Sequence, residues 1–114
     1  DELSLNRGVG HIEGTPRPGS PGNIGIAGHR DGFFRGLKDV VVGDYLELAT
    51  PAGSETFQVE SIHIVPPDEV SVLDPTEQTA VTLVTCYPFY FVGNAPLRYI
   101  VRAGRVTQLP VSRG

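Results

Sequence analysis

Two absences bound this chain before anything present in it does. It contains no methionine, and its only cysteine is Cys86. A lone thiol cannot close an internal disulfide, so the fold must be held by its core. A sequence that starts at Asp1 and lacks methionine is expected to be a trimmed or processed piece, with any N-terminal anchor outside it. Long apolar runs are also lacking. The stretch Phe89-Tyr90-Phe91-Val92 falls far short of the ~18–20 residues that a membrane span needs, and no signal peptide is visible. Charge of neither sign accumulates: the formal net charge is -4. No basic surface therefore points to nucleic acid, and no acidic tail points to a charged partner.

What remains is a sequence able to build one core. The 114 residues are 39% hydrophobic, which fits a single folded domain over residues 1–114. Fourteen glycines and ten prolines fall between short apolar runs as turn punctuation. Residues 1–22 read as loop, with one short apolar element over 9–12 and a dense turn cluster from Thr15 to Gly22. Strands are expected over 23–28, 44–50, 56–65, 80–86 and 97–103, with a hairpin turn at 51–54. Residues 31–38 suit one helical or 3₁₀ turn that packs Phe33, Phe34 and Leu37 on the sheet. Residues 68–78 read as a connection and 87–96 as a loop. Many short strands without a long helix argue for an all-β barrel or sandwich.

Three side chains stand where strands begin or end. Cys86 closes one strand, His29 follows another, and Arg98 opens the strand after Cys86. If the last two strands form a hairpin, Arg98 comes beside Cys86, and closure of a barrel would bring His29 to the same rim. The residue types suit distinct roles. A thiolate is the attacking species, and a free thiol, with a pKa of about 8.5, is mostly un-ionised near pH 7. Histidine can take and return a proton there. Arginine stays protonated, so Arg98 can hold a carbonyl or a developing negative charge but cannot act as the base. Together they point to acyl transfer through a thioester. Each also has a plainer reading: Cys86 as a buried small hydrophobe, His29 as a loop residue with a local hydrogen bond, and Arg98 as a strand-face charge. His63, inside an alternating strand, reads as structural. His11-x-Glu13 and His29-x-Asp31 fall short of a metal ligand set.

Several blocks then resemble one family. These are Gly8-Val9-Gly10-His11-Ile12, Gly14-Thr15, Gly22-Asn23-Ile24-Gly25-Ile26-Ala27-Gly28-His29-Arg30-Asp31, Gly43-Asp44, Thr82-Leu83-Val84-Thr85-Cys86-Tyr87-Pro88 and Ala95-Pro96-Leu97-Arg98-Tyr99-Ile100-Val101. In this order, from about Leu5 to Ala103, they are similar to sortases. The tyrosine-proline after the cysteine is most similar to class D or a related Gram-negative type. The resemblance implies a closed β-barrel with short helical turns. It implies a cysteine transpeptidase that cleaves a C-terminal Leu-Pro-x-Thr-Gly-like signal after threonine and passes the thioacyl group to an amine. By position, Cys86 is then the nucleophile, His29 the acid/base and Arg98 the arginine that orients substrate and oxyanion, with Thr85 and Tyr87 as substrate-binding residues.

No cofactor or metal is implied. The implied partners are proteins with a C-terminal sorting signal and an amine acceptor, either a cell-wall precursor or a pilin-like lysine. The implied location is the extracytoplasmic face of a bacterial membrane, with the anchor outside this chain. Family members carry a first strand before the region where this sequence begins, so that strand is expected to be missing. Two other readings stay open: a hydrolytic cysteine peptidase of the same fold, and a non-catalytic β-barrel adhesion or binding domain. An L,D-transpeptidase also uses Cys and His, but it resembles a Ser-His-Gly-Cys block absent here.

Overall fold

The computed structural model describes residues 2–3, 9–28, 37–87 and 95–106. Their strands are β1 (Glu2–Leu3), β2 (Val9–His11), β3 (Asn23–Gly28), β4 (Tyr45–Thr50), β5 (Gly53–Val65), β6 (Ala80–Tyr87) and β7 (Leu97–Arg105). They form one seven-stranded sheet in the order β1-β4-β5-β7-β6-β3-β2. The pairs β1/β4 and β3/β6 are parallel, and the others are antiparallel. The sheet curls into a half-barrel, all-β as the sequence implies. Among the described residues β1 and β2 are its two edges.

Alternation builds the middle of the sheet. Along β4 the side chains of Leu46 and Leu48 turn inward while Tyr45 and Glu47 do not. They meet Phe57 and Val59 of β5, Leu83 of β6 and Val101 of β7, all nearly or fully buried. The hairpin is tighter than the sequence suggests: Thr50 pairs with Gly53, so only Pro51 and Ala52 lie outside the ladder. Gly53 can rejoin the strand at φ 123°, a backbone region costly for other residues. The register of β5 against β7 slips between Val59 and Ser61, making Glu60 the extra residue of a bulge. Such a bulge bends its strand, which fits the curl of the sheet. The Glu60 carboxylate lies where a Cβ on Gly104 would stand.

Two elements escape the sequence reading. β1 falls within the stretch read as loop; its partner is the distant β4, which no local pattern reveals. The connection after β5 holds a 3₁₀ turn over Val70–Leu73. Residues 37–39 are also 3₁₀, and Leu37 is buried in the core as expected. Phe33 and Phe34 lie outside the described residues. No helix among the described residues is long and apolar enough to cross a membrane.

Both faces of β3 are covered, so Asn23 to Ile26 are all buried. Ile24 and Ile26 enter the core. On the other face Gly25 lies under Leu73, Thr15 and Ile12, and a Cβ there would come within 3.1 Å of Leu73 Cδ2. Only glycine allows that approach without displacing a neighbour.

Near the end of the β6/β7 ladder, Tyr99 is 8% exposed and stacks on Tyr87 with ring centroids 5.8 Å apart. Its hydroxyl donates to the Leu37 carbonyl oxygen at 3.2 Å. Burial, then the neighbouring Tyr87 and Asp39, raise its pKa above the ordinary 10.0. The folded chain therefore holds this proton more tightly than the unfolded chain does. The resulting stabilisation is complete below pH 10.0 and is lost as pH rises through the raised folded value. We expect Tyr99→Phe to flatten the alkaline fall in stability, at a cost near neutral pH of about 0.5–1.5 kcal/mol for the hydrogen bond. Urea unfolding between pH 7 and 11 checks this, and an unchanged alkaline slope would refute it.

Candidate active site

The antiparallel ladder of β6 and β7 places Cys86 directly opposite Arg98. The expected hairpin pairing is therefore present, and it makes the two residues cross-strand neighbours on one face. Along that face Thr82, Val84 and Cys86 of β6 lie beside Arg102, Ile100 and Arg98 of β7. Cys86 is a half-buried free thiol. An otherwise apolar strand thus delivers a sulfur at its partly open end.

The Arg98 guanidinium is held by its own turn. Nη1 donates to the carbonyl oxygens of Ala95 at 3.1 Å and Leu97 at 2.9 Å. Both hydrogens of Nη1 are thus committed, while Nε–H and the two hydrogens of Nη2 have no hydrogen-bond partner among the described residues. A fixed arginine fork on the residue opposite a cysteine can receive a carbonyl oxygen as it gains charge.

A groove of about 100 Å³ reaches Arg98. Val84, Ile100 and Arg98 form its floor, and Ile12, Val72 and Leu73 are among its wall residues. Its lining is chiefly aliphatic, with the carboxylate of Glu69 on the loop side. Cys86 itself does not line it; Val84 precedes Cys86 on the same face of β6, and Arg98 opposes it on β7. Small aliphatic side chains suit such a trough.

Thr85 and Tyr87, which the resemblance assigns to the substrate, flank Cys86 on β6. Thr85 is 2% exposed, on the face opposite Cys86, and its Oγ1 has no hydrogen-bond partner among the described residues. Tyr87 packs partly against the core and on Tyr99. Strand alternation accounts for these positions: neighbours in sequence point to opposite faces, so residues flanking an outward cysteine turn inward. The groove floor is one step further away, at Val84 and Ile100. Alternation along 80–86 and 97–103 puts these two on the face of Cys86 and Arg98, a signal local to each strand. The wall from the 3₁₀ turn gave none.

His29 lies outside the described residues. The strand that leads to it is described: β3 runs parallel to β6, with Ala27 level with Val84. His63 is exposed on β5 opposite Ile100. His11 lies on β2, with Nε2 2.9 Å from the Thr15 carbonyl oxygen and 2.8 Å from that of Pro16.

The comparisons with known proteins agree with one another. The Sortase domain family matches residues 1–106. Sortase D of Bacillus subtilis (strain 168) is 40% identical over 108 residues, covering 94% of this chain and 54% of the relative. Among solved structures, sortase C1 of Streptococcus agalactiae superposes with a TM-score of 0.80 at 31% identity, covering 95% of this chain and 58% of that one. The Sortase D5 transpeptidase of Clostridium perfringens gives 0.75 at 30% identity, covering 92% and 68%. The class D likeness seen in the sequence fits these relatives. The chain spans about half the length of the curated relative it matches. Motif order, strand topology and the pairing of Cys86 with Arg98 converge with these likenesses on one conclusion: the chain belongs to the sortase family.

Proposed function

We propose that this chain carries the chemistry of a cysteine transpeptidase acting on C-terminal sorting signals of the Leu-Pro-x-Thr-Gly kind. The observation that carries the reading is the pairing of Cys86 with Arg98, which itself lines an apolar groove. The peptide lies along Val84 and Ile100 with its threonine carbonyl carbon at Cys86. The Cys86 thiolate attacks that carbon, and the oxyanion that forms is received by Arg98. The carbon–nitrogen bond then breaks, the leaving amine takes a proton from His29, and a thioester remains on Cys86. An incoming amine attacks the thioester and gives its proton to His29 as the thiolate leaves. No cofactor enters this cycle.

The role of His29 rests on family resemblance and on its place directly after β3, which runs parallel to β6. Cell-wall precursors or pilin-like lysines are the proposed amine donors, and the extracytoplasmic face of a bacterial membrane is the proposed location.

The test incubates the protein with a panel of Leu-Pro-x-Thr-Gly peptides that differ at the variable position. We expect a mass increase on Cys86 equal to the acyl fragment ending in threonine, discharged by added amine to an amide product. Failure of every peptide to form the adduct, while the thiol still reacts with iodoacetamide, would overturn the proposal. Discharge to the free acid alone, whatever amine is supplied, would convert it to a hydrolase.

A further inference from the structure

Asn23, Thr82 and Arg102 take no part in this chemistry, yet they form a connected polar network beneath the groove wall. Asn23 is 1% exposed and Thr82 is fully buried. The Thr82 hydroxyl donates to Asn23 Oδ1 and accepts from Arg102 Nε at 2.8 Å. That arrangement fixes the Asn23 amide, because its Nδ2 then faces two carbonyl oxygens, those of Val72 at 3.1 Å and Asp74 at 2.9 Å. Arg102 Nη2 donates to the same Val72 oxygen at 2.7 Å. Two strands, β3 and β7, thus send donors to two carbonyls of one short segment, the 3₁₀ turn Val70–Leu73 and the residue after it, while Thr82 of β6 ties the two donors together.

The turn has little else to hold it. None of its residues is buried, no side chain caps its start, and Val70 is 71% exposed. Leu73 has an apolar seat against Gly25. Yet Val72 and Leu73 form the groove wall. A wall so lightly packed takes its position from the hydrogen bonds beneath it.

We propose that Asn23 and Arg102 are positioning residues that latch the 3₁₀ turn onto the sheet and so set the affinity of the groove for its peptide. The inference rests on reading the groove as the peptide site. Because the latch lies beside Arg102, not beside Cys86, loosening it lowers the fraction of chains whose groove is formed and leaves the reacting atoms in place. Apparent affinity then falls with that fraction.

Asn23→Asp tests this with almost no change in size: the acceptor for Thr82 stays, and both donors to the turn are replaced by carboxylate oxygen. Arg102→Met keeps the stem and removes the other donor, so the test survives if the first variant fails to fold. For two lost hydrogen bonds we expect KM for a sorting peptide to rise about tenfold, with kcat within about twofold of the parent. Amide exchange at Val70 and Asp74, which donate to the carbonyls of Asp68 and Ser71, should quicken by a similar factor. Arg102→Lys should recover part of the KM lost in Arg102→Met. An unchanged KM in the folded variants overturns the latch, as does a fall in kcat with KM constant. Should the parent protein turn over no peptide in the panel, the transpeptidase reading fails by itself. The latch is then decided by exchange at Val70 and Asp74, which unchanged rates would refute.

Discussion

Cys86→Ala should lower kcat/KM for a sorting peptide by at least about a thousandfold, the scale on which loss of a nucleophile acts. The size follows from what the thiol supplies. Without sulfur no thioester forms, so Arg98 and the groove can bind a peptide but cannot split the reaction into two easier steps. The same substitution should hardly affect stability. Cys86 is half-buried near a strand end, keeps its Cβ as alanine, and loses no hydrogen bond that the structure records. Removing one buried methylene-sized group costs about 0.8 kcal/mol. Activity and stability therefore separate in this variant: single-turnover cleavage collapses while the thermal unfolding midpoint moves by a few degrees at most. Cys86→Ser should be nearly as inactive, because a serine hydroxyl is a far weaker nucleophile than a thiolate near neutral pH. The chain has one cysteine, so any thiol reagent or acyl adduct identifies its own site. Cleavage by Cys86→Ala within tenfold of the parent would remove Cys86 from the mechanism as its nucleophile.

How much of this site could be read from residues alone depends on distance along the chain. The β6/β7 hairpin is local: two alternating segments joined by a loop with two prolines predict their own pairing, and that pairing sets Cys86 against Arg98. The same alternation separates the outward row of Val84, Ile100 and Arg98 from the inward row of Val81, Leu83 and Thr85. It was family likeness, not alternation, that assigned Thr85 and Tyr87 to the substrate; alternation turns Thr85 to the buried face. The groove wall was not legible, because residues 66–78 carry no periodic pattern. Their position is fixed by Asn23 and Arg102, which lie far away in sequence and whose polar side chains could as easily have faced solvent. β1 escaped for the same reason, since its partner is β4 across the chain. Local periodicity specifies a strand and its faces; it does not specify which distant carbonyl a buried asparagine will meet.

Arg98 offers the second large effect. Arg98→Ala should reduce kcat by about 10²–10³, as expected when a preorganised donor to an oxyanion is lost. Arg98→Lys should recover little of it. The guanidinium divides its donors: Nη1 is spent on the carbonyls of Ala95 and Leu97, and this anchoring aims the rest of the fork. A lysine ammonium has three donors on one flexible stem and cannot hold two turn carbonyls while presenting a planar pair of N–H groups to substrate. Charge is conserved in this variant and geometry is not, so its activity measures how much geometry matters. We expect Arg98→Lys to stay within about tenfold of Arg98→Ala in kcat, with KM moved far less, because the charge on oxygen develops after binding. Alkylation of Cys86 by neutral iodoacetamide involves no oxyanion and supplies the control. Its rate should change much less than peptide turnover in either variant, and a parallel fall would assign Arg98 to activation of the thiol. Full kcat in Arg98→Lys would show that a point charge suffices and that the anchored fork at the turn has no catalytic part.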